Sequence, residues 1–444
     1  MSYLTDRRRF LKTTALTGVG VFVAGTAAAQ DSKSPNERIR FACIGVGGKG
    51  SSDSGDAKRH GDVVAICDVD DNTLEKAASK SFPDAARYND FRKMLDEVAK
   101  NVDAVTVSTP DHMHAAASSM AMRLGKACFT QKPMTRTIQE ARKLGEIARE
   151  MKVVTQMGNQ GTSSKKLREA AANIKAGAVG NVKEVHVWTN RPIWPQGGSR
   201  PPEAPVPANV HWDLWLGTAP VRPYAPGYHP FAWRGWWDFG SGALGDMACH
   251  TVNMPFMALD LRDPTSVQAT TSGHNGDSFP KRSAITYEFP ANGNRPAVKM
   301  VWYDGGNKPD SSLFDLPKDE QVSDSGALLI GDKGTLYAPG DYAEKGYKLF
   351  GGASDPKKEV EEPINHFSDF ARAIKGGPTT CSNFPDYAGP LTETILLGNL
   401  AVWAARDPDT PGKKIEWNAR QLEATNAPEL ASMVTPKYRE GYKL

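Results

Sequence analysis

Ile39-Arg40-Phe41-Ala42-Cys43-Ile44-Gly45-Val46-Gly47-Gly48-Lys49-Gly50, carried on to Val63-Val64-Ala65-Ile66-Cys67-Asp68, decides how this chain folds. The apolar run 39–44 predicts a buried strand that enters a G-x-G-x-x-G turn directly. Small and polar residues from Gly48 to His60 predict a helix, and Val63–Cys67 a second strand closed by Asp68. That order is a βαβ unit suited to a dinucleotide. Gly45 permits the tight turn, Gly47 lets the backbone approach a pyrophosphate, and Gly50 lets helix and strand pack closely. The helix opening at Gly48 offers N–H groups and a positive dipole end to phosphates. Asp68 is placed to accept hydrogen bonds from a ribose 2′-hydroxyl. A carboxylate there repels a 2′-phosphate, so NAD is expected over NADP, with Lys49 and Lys58 as nearby cations that soften the preference. The alternative is an ordinary βαβ turn that binds nothing.

Outward from this unit, strand and helix patterns alternate to about Met157. Helices are expected over 71–81, 91–99, to Leu124 and 137–151, and strands over 104–108, 127–130 and 153–156. Repeated βα units predict a doubly wound parallel sheet over 37–157. Ligands bind beyond the carboxyl ends of such strands, where Thr109, Lys132 and Gln160 fall. From 158 to 444 the pattern changes. After a helix over 164–176, strand-like runs at 182–188, 266–271, 283–289, 297–303 and 327–331 follow without regular helices between them. They predict an α+β domain with an open, mostly antiparallel sheet. Seven of the ten tryptophans fall between Trp188 and Trp237, in a long proline-rich stretch. Loops of that length are uncommon unless functional; the alternatives are a ring-lined pocket, a subunit contact or a self-packed loop.

The first 29 residues are expected to be a cleaved export leader. Asp6-Arg7-Arg8-Arg9-Phe10-Leu11-Lys12 matches a twin-arginine region, Thr13 to Ala29 is weakly apolar, and Ala27-Ala28-Ala29 forms a cleavage site. The leader carries the whole of the chain's +3 formal charge, which leaves the remainder close to neutral. Nucleic acid and anionic membranes are therefore not expected partners, and no anchor is expected after cleavage. A periplasmic protein leaves the cytoplasmic nicotinamide pool behind, so its cofactor must be held tightly or renewed within each cycle. The five cysteines are odd in number and lack a C-x-x-C; Cys43, Cys67 and Cys128 read as buried thiols, and neither a disulfide framework nor a zinc site is expected.

Taken together, the glycine turn, Asp68, Thr109-Pro110-x-x-x-His114, Lys132-Pro133 and Gly245-Asp246-x-x-x-His250 resemble the Gfo/Idh/MocA oxidoreductases. That resemblance implies a Rossmann domain, a sheet-bearing domain that supports a dimer or tetramer, and action on sugars or polyols with NAD or NADP. It implies that Lys132 is the catalytic lysine of an E-K-P motif, whose glutamate is Gln131 here. Lys132 then stabilises charge on the reacting oxygen. Of Asp246 and His250, four apart on one helix face, His250 becomes the general base, with an ordinary pKa of about 6.5, and Asp246 an acid that orients it, contacts the substrate or shares the proton. Without a third ligand at metal spacing, no metal is expected. Thr109, His114 and Gln160 resemble cofactor-loop residues. Of the insert residues Arg191, His211, Trp212, Tyr228, His229, Arg234, Trp236 and Trp237, Arg191 and Trp237 are the preferred substrate contacts. The expected activity is hydride transfer from a carbohydrate or polyol carbon to NAD. The alternatives are a redox-neutral glycosidase or lyase that recycles bound NAD, and a module that binds NAD and sugar without turnover.

Overall fold

The computed structural model describes residues 38–317 and 320–444; the twin-arginine segment, 1–29, lies outside them. The first unit is a six-stranded sheet, β1 (Ile39–Ile44), β2 (Gly61–Cys67), β3 (Ala86–Tyr88), β4 (Ala104–Val107), β5 (Ala127–Thr130) and β6 (Thr155–Met157). Every pairing is parallel, in the order β3-β2-β1-β4-β5-β6. Five helices connect the strands: α1 (Lys49–His60), α2 (Asp71–Ser81), α3 (Phe91–Val98), α4 (Asp111–Arg123) and α5 (Ile138–Met151). With helices on both faces, β1, β4 and β5 are buried almost throughout, which is why they read as apolar runs rather than alternating ones. The order in which strands are added reverses between β1 and β4, and the crevice above that point is where such sheets bind nucleotides.

After α6 (Lys165–Lys175) comes β7 (Val182–Trp188), then the insert with the short helix α7 (Trp212–Leu216), then α8 (Gly242–Thr251) and α9 (Asn253–Leu259). Strands β8 (Ser266–Thr271), β9 (Ser283–Phe289), β10 (Val298–Tyr303), β11 (Gly326–Gly331), β12 (Gly334–Pro339) and β13 (Lys348–Gly351) follow. Helices α10 (His366–Ile374) and α11 (Gly389–Ala404) then precede β14 (Ile415–Asn418) and β15 (Glu423–Ala424). These strands form a nine-stranded sheet, β13-β12-β11-β7-β10-β9-β8-β14-β15. Only β7 and β10 pair in parallel; the other pairings are antiparallel. Both expected sheet types are therefore present. The residues from β9 show why the pattern was legible: they alternate buried and half-buried along the whole strand.

Two departures from the sequence division matter for the site. Helix α10 returns to the first sheet, where Phe367 and Phe370 pack against Phe129, and Phe367 against Phe41. The tryptophan-rich insert is largely self-packed. Trp215, Tyr228, Trp233, Trp236 and Phe239 form a core of their own with Trp212 stacked on Trp215 at 4.7 Å.

That insert is fastened to the β2–α2 corner. Asp70 accepts hydrogen bonds from Asn209 Nδ2 at 2.8 Å and His229 Nε2 at 3.0 Å while capping α2 through Asn72 N. Main-chain bonds Asp71 N to Asn209 O and His211 N to Val69 O run alongside. Burial works against the Asp70 carboxylate, but the bonds from His229, Asn209 and the Thr73 amide together hold it below the usual carboxylate range.

Candidate active site

A cavity of about 730 Å³ opens above the carboxyl ends of β1, β4 and β5 and runs to α8. Its floor is the glycine turn. Gly45 has φ +77°, and a Cβ there would lie 2.6 Å from the Ser108 carbonyl oxygen, so only glycine fits. Gly50 lies against the Gly45 carbonyl in the first turn of α1; it lets the turn close and is not itself a wall of the cavity. No side chain caps the N-terminus of α1, and no acidic residue sits in its first turn. A Cβ at Gly48 would meet nothing. Open space before an uncapped helix end fits a phosphate group. Asp68 lies at the end of β2 and lines the cavity. Its carboxylate accepts from Val46 N and Asp70 N, both at 3.0 Å, so it also fixes the shape of the glycine turn. Burial raises its pKa against those bonds. The cradle and the acid together fit a nucleotide.

Thr109, His114, Lys132 and Gln160 all line the same cavity, as do Asp246, His250 and Arg191. His114 is held rigidly, with Nδ1 2.8 Å from Pro133 O and Nε2 2.8 Å from Thr109 O. It ties the turn after β4 to the Lys132-Pro133 turn, so its role here is to position both. Lys132 Nζ donates to Asp246 Oδ1 at 2.9 Å and Asp246 O at 2.7 Å. Arg234 Nε donates to the same Oδ1 at 3.2 Å. Burial pushes the Asp246 carboxyl up, but Lys132 and Arg234 outweigh it and hold the group ionised. His250 is buried with Nδ1 unpartnered, its ring 4.7 Å from that of Tyr342. Burial, reinforced by Lys132, holds it neutral, well below the usual histidine range. A neutral ring accepts a hydrogen bond from a hydroxyl but retains a proton poorly.

Gln131 settles what stands in place of the motif's glutamate. Its Nε2 donates to Asp53 Oδ2 at 2.8 Å, and its Oε1 accepts from Lys132 N at 3.3 Å. Asp53, on α1 and 1% exposed, also accepts from Lys49 Nζ at 2.7 Å and Ser108 Oγ at 2.8 Å. The carboxylate beside the lysine turn is thus supplied from α1. Nothing in the sequence pointed to Asp53, which is three residues into a run of small polar residues.

Trp237 is corrected. It does not face this cavity: its ring stacks on Phe279 at 3.7 Å and meets Trp403 edge-on, and its Nε1 donates to Ser278 O. It is core. Of the insert residues named from the sequence, Arg191, His229 and Arg234 do line the cavity; Trp194, Trp215 and Trp233 line it too and were missed. Tyr342, from the loop after β12, and Asp111, at the start of α4, were also missed. Asp111 stood inside the quoted Thr109–His114 turn.

Comparison with known proteins agrees with this architecture. The NAD-binding Rossmann model of the GFO/IDH/MocA oxidoreductase family matches residues 39–159, and the model of its C-terminal alpha/beta domain matches 174–312, together more than half of the chain. The chain belongs to the Gfo/Idh/MocA family. Within it, the chain is similar to a glycosyl hydrolase family 109 protein of Solibacter usitatus, 33% identical over 151 residues, 31% of this chain and 34% of that one. It is also similar to the D-xylose 1-dehydrogenase [NADP(+)] of Haloarcula marismortui, 28% identical over 271 residues, 59% of this chain and 66% of that one. The chain's matches thus span from about a third to just under two thirds of the length of these relatives. Among solved structures, the WlbA dehydrogenase of Bordetella pertussis, in complex with NADH and UDP-GlcNAcA, superposes with a TM-score of 0.59. The identity is 17%, over 86% of this chain and 99% of that one, a likeness of fold.

Proposed function

We propose that this protein oxidises a hydroxyl-bearing carbon of a carbohydrate or polyol, using NAD in preference to NADP. The observation that carries the reading is convergence: Lys132, Asp246 and His250 meet in the one cavity whose floor is the uncapped end of α1. Nicotinamide bound there supplies a reversible hydride acceptor. Asp246 pins the Lys132 ammonium, which faces the reacting oxygen and stabilises negative charge on it. His250 receives the hydrogen bond of the hydroxyl, and Arg191 with Trp194 and Trp233 forms the outer wall for the rest of the sugar. Asp68 favours NAD, through charge repulsion of a 2′-phosphate.

One observation favours the redox-neutral alternative. The β2–α2 corner, where the nucleoside end of a dinucleotide lies in such folds, is closed by the insert through Asp70, Asn209 and His229. A cofactor enclosed this way exchanges slowly and suits a cycle in which the hydride is returned. A twin-arginine leader at 1–29 and the periplasmic location proposed with it would fit the same reading. The open sheet supports a homo-oligomer. The test is product analysis after incubation of the isolated protein with a panel of sugars and glycosides. Keto-sugar formed in step with NADH establishes the dehydrogenase; released sugar without NADH establishes the redox-neutral enzyme; neither product refutes both.

A further inference from the structure

The cavity holds one carboxyl that the reading above leaves without a task. Asp111 opens α4, is 3% exposed and lines the cavity. Its Oδ2 accepts from Ser241 Oγ at 2.5 Å. Ser241 is itself anchored, because its carbonyl accepts from Asn399 Nδ2 on α11 at 3.1 Å. The charged groups facing Asp111 are Arg234 from the turn at 232–235, Lys132 after β5 and Asp246 on α8, with the Cys249 thiol on the same helix. Both cations donate to Asp246 rather than to Asp111.

Two carboxyls therefore share two cations, and the cations have taken a side. In a low-dielectric cavity the carboxyl left without a counterion holds a proton more readily. Burial, against the Ser241 bond and Arg234, pushes Asp111 up to about 7. Asp246 stays ionised and His250 stays neutral. A group that gives and takes protons near neutrality is the efficient acid–base catalyst, and of the three Asp111 is the one in that range.

We propose that Asp111 is a catalytic acid–base residue of this site, which takes the proton of a sugar hydroxyl in the cavity and returns it in the reverse step. The hydroxyl turns from His250 to Asp111: the substrate O–H bond breaks, an O–H bond forms on the Asp111 carboxyl, and the electron pair stays on the substrate oxygen facing the Lys132 ammonium. This rests on the carbohydrate reading above. A merely structural Asp111 would only tie α4 to α8 through Ser241.

The test is infrared difference spectroscopy of the isolated full-length protein between pH 5 and pH 9, values set about two units either side of neutrality. It compares wild type, Asp111→Asn and Ser241→Ala. The expected result is a protonated-carboxyl carbonyl band in wild type that titrates near neutrality, distinct from that of Asp304, a second buried carboxyl pushed up to about 6 and common to all three proteins. The band is absent from Asp111→Asn and titrates at higher pH in Ser241→Ala, because the lost hydrogen bond stabilised the carboxylate. Turnover in Asp111→Asn should fall about 10²-fold, with the matching limb of the pH profile gone. A wild-type spectrum without that distinct band, or its survival in Asp111→Asn, overturns the proposal even if the variant folds poorly. Sugar turnover with an unchanged pH profile in Asp111→Asn also overturns it and leaves the proposed function standing. No sugar turnover in wild type, with the titrating band present, overturns the proposed function and the catalytic role while leaving the buried titrating carboxyl.

Discussion

Lys132 and Asp246 join the two halves of the protein: one ammonium, at the end of a strand of the first sheet, donates to both the carboxylate and the main-chain carbonyl of a residue on α8. Lys132→Ala leaves Asp246 with Arg234 as its remaining cation. Turnover is expected to fall at least about 10²-fold, and stability by about 3 kcal/mol, in the range for breaking a buried pair. Steady-state kinetics and urea melts of the same variant check both. Full turnover removes Lys132 from the mechanism.

Gln131→Glu would place a second carboxylate within hydrogen-bond distance of Asp53, where Gln131 Nε2 now lies at 2.8 Å. The single variant is expected to lose about 2 kcal/mol. Asp53→Asn combined with Gln131→Glu should recover most of it, because the amide and the acid have exchanged places. Denaturant midpoints for the four proteins of the cycle give the coupling; additive losses would show that the two side chains do not communicate.

Acid should destabilise this protein earlier than its carboxylates alone would. His366 is buried as a neutral ring: Nε2 lies 2.7 Å from Met157 O and Nδ1 2.9 Å from Ser163 Oγ, a donor and acceptor pattern that needs no second proton. Burial holds its pKa down at about 4. The unfolded chain binds that proton below about 6.5, the folded chain only below about 4. Stability is therefore unaffected above pH 6.5 and falls by on the order of 3 kcal/mol as pH drops through this window. His366→Gln should show a shallower dependence of the urea midpoint on pH. An identical slope would mean the ring is already charged in the folded state.

Trp237→Ala is expected to cost about 3–5 kcal/mol, as removal of a buried tryptophan does, and to leave KM for any substrate of the folded fraction unchanged. A selective rise in KM with unchanged melting would return Trp237 to the substrate site.

Nucleotide released from the denatured, dialysed protein should be NAD(H), close to one per chain, by mass spectrometry. NADP(H) would show that Lys49 and Lys58 outweigh Asp68; an empty protein would remove the case for a retained cofactor.

The fold was legible where local chemistry and tertiary context agree. The glycine turn, the parallel strands and β7, β8 and β9 carry periodicities that their neighbours do not override. Short edge strands such as β3 and β13 bury too little to leave a pattern. Helix α9, Asn253–Leu259, is almost wholly buried, so it shows no amphipathic period. Within the site, Lys132, Asp246 and His250 stood out because they sit in motifs. Asp53 and Tyr342 reach the site through tertiary packing alone. Trp237 misled because a ring in an aromatic-rich stretch looks the same whether it faces a ligand or Phe279.

The fastening of the insert to Asp70 and Asp71 also sets an order of events. Leu214, Trp215, His229 and Tyr442 help to wall a cavity whose floor is laid by Gly45, Gly47, Gly48 and Lys49. Contacts so distant along the chain carry a loop-closure cost, which favours their forming after the local βα units. The glycine turn is then a bare shelf while the first sheet assembles and a partly walled cavity once the rest of the chain has arrived. A nucleotide that meets the shelf in that interval would be partly walled in as folding is completed. Protein refolded in nucleotide-free buffer and then supplied with cofactor would have to load through a finished wall.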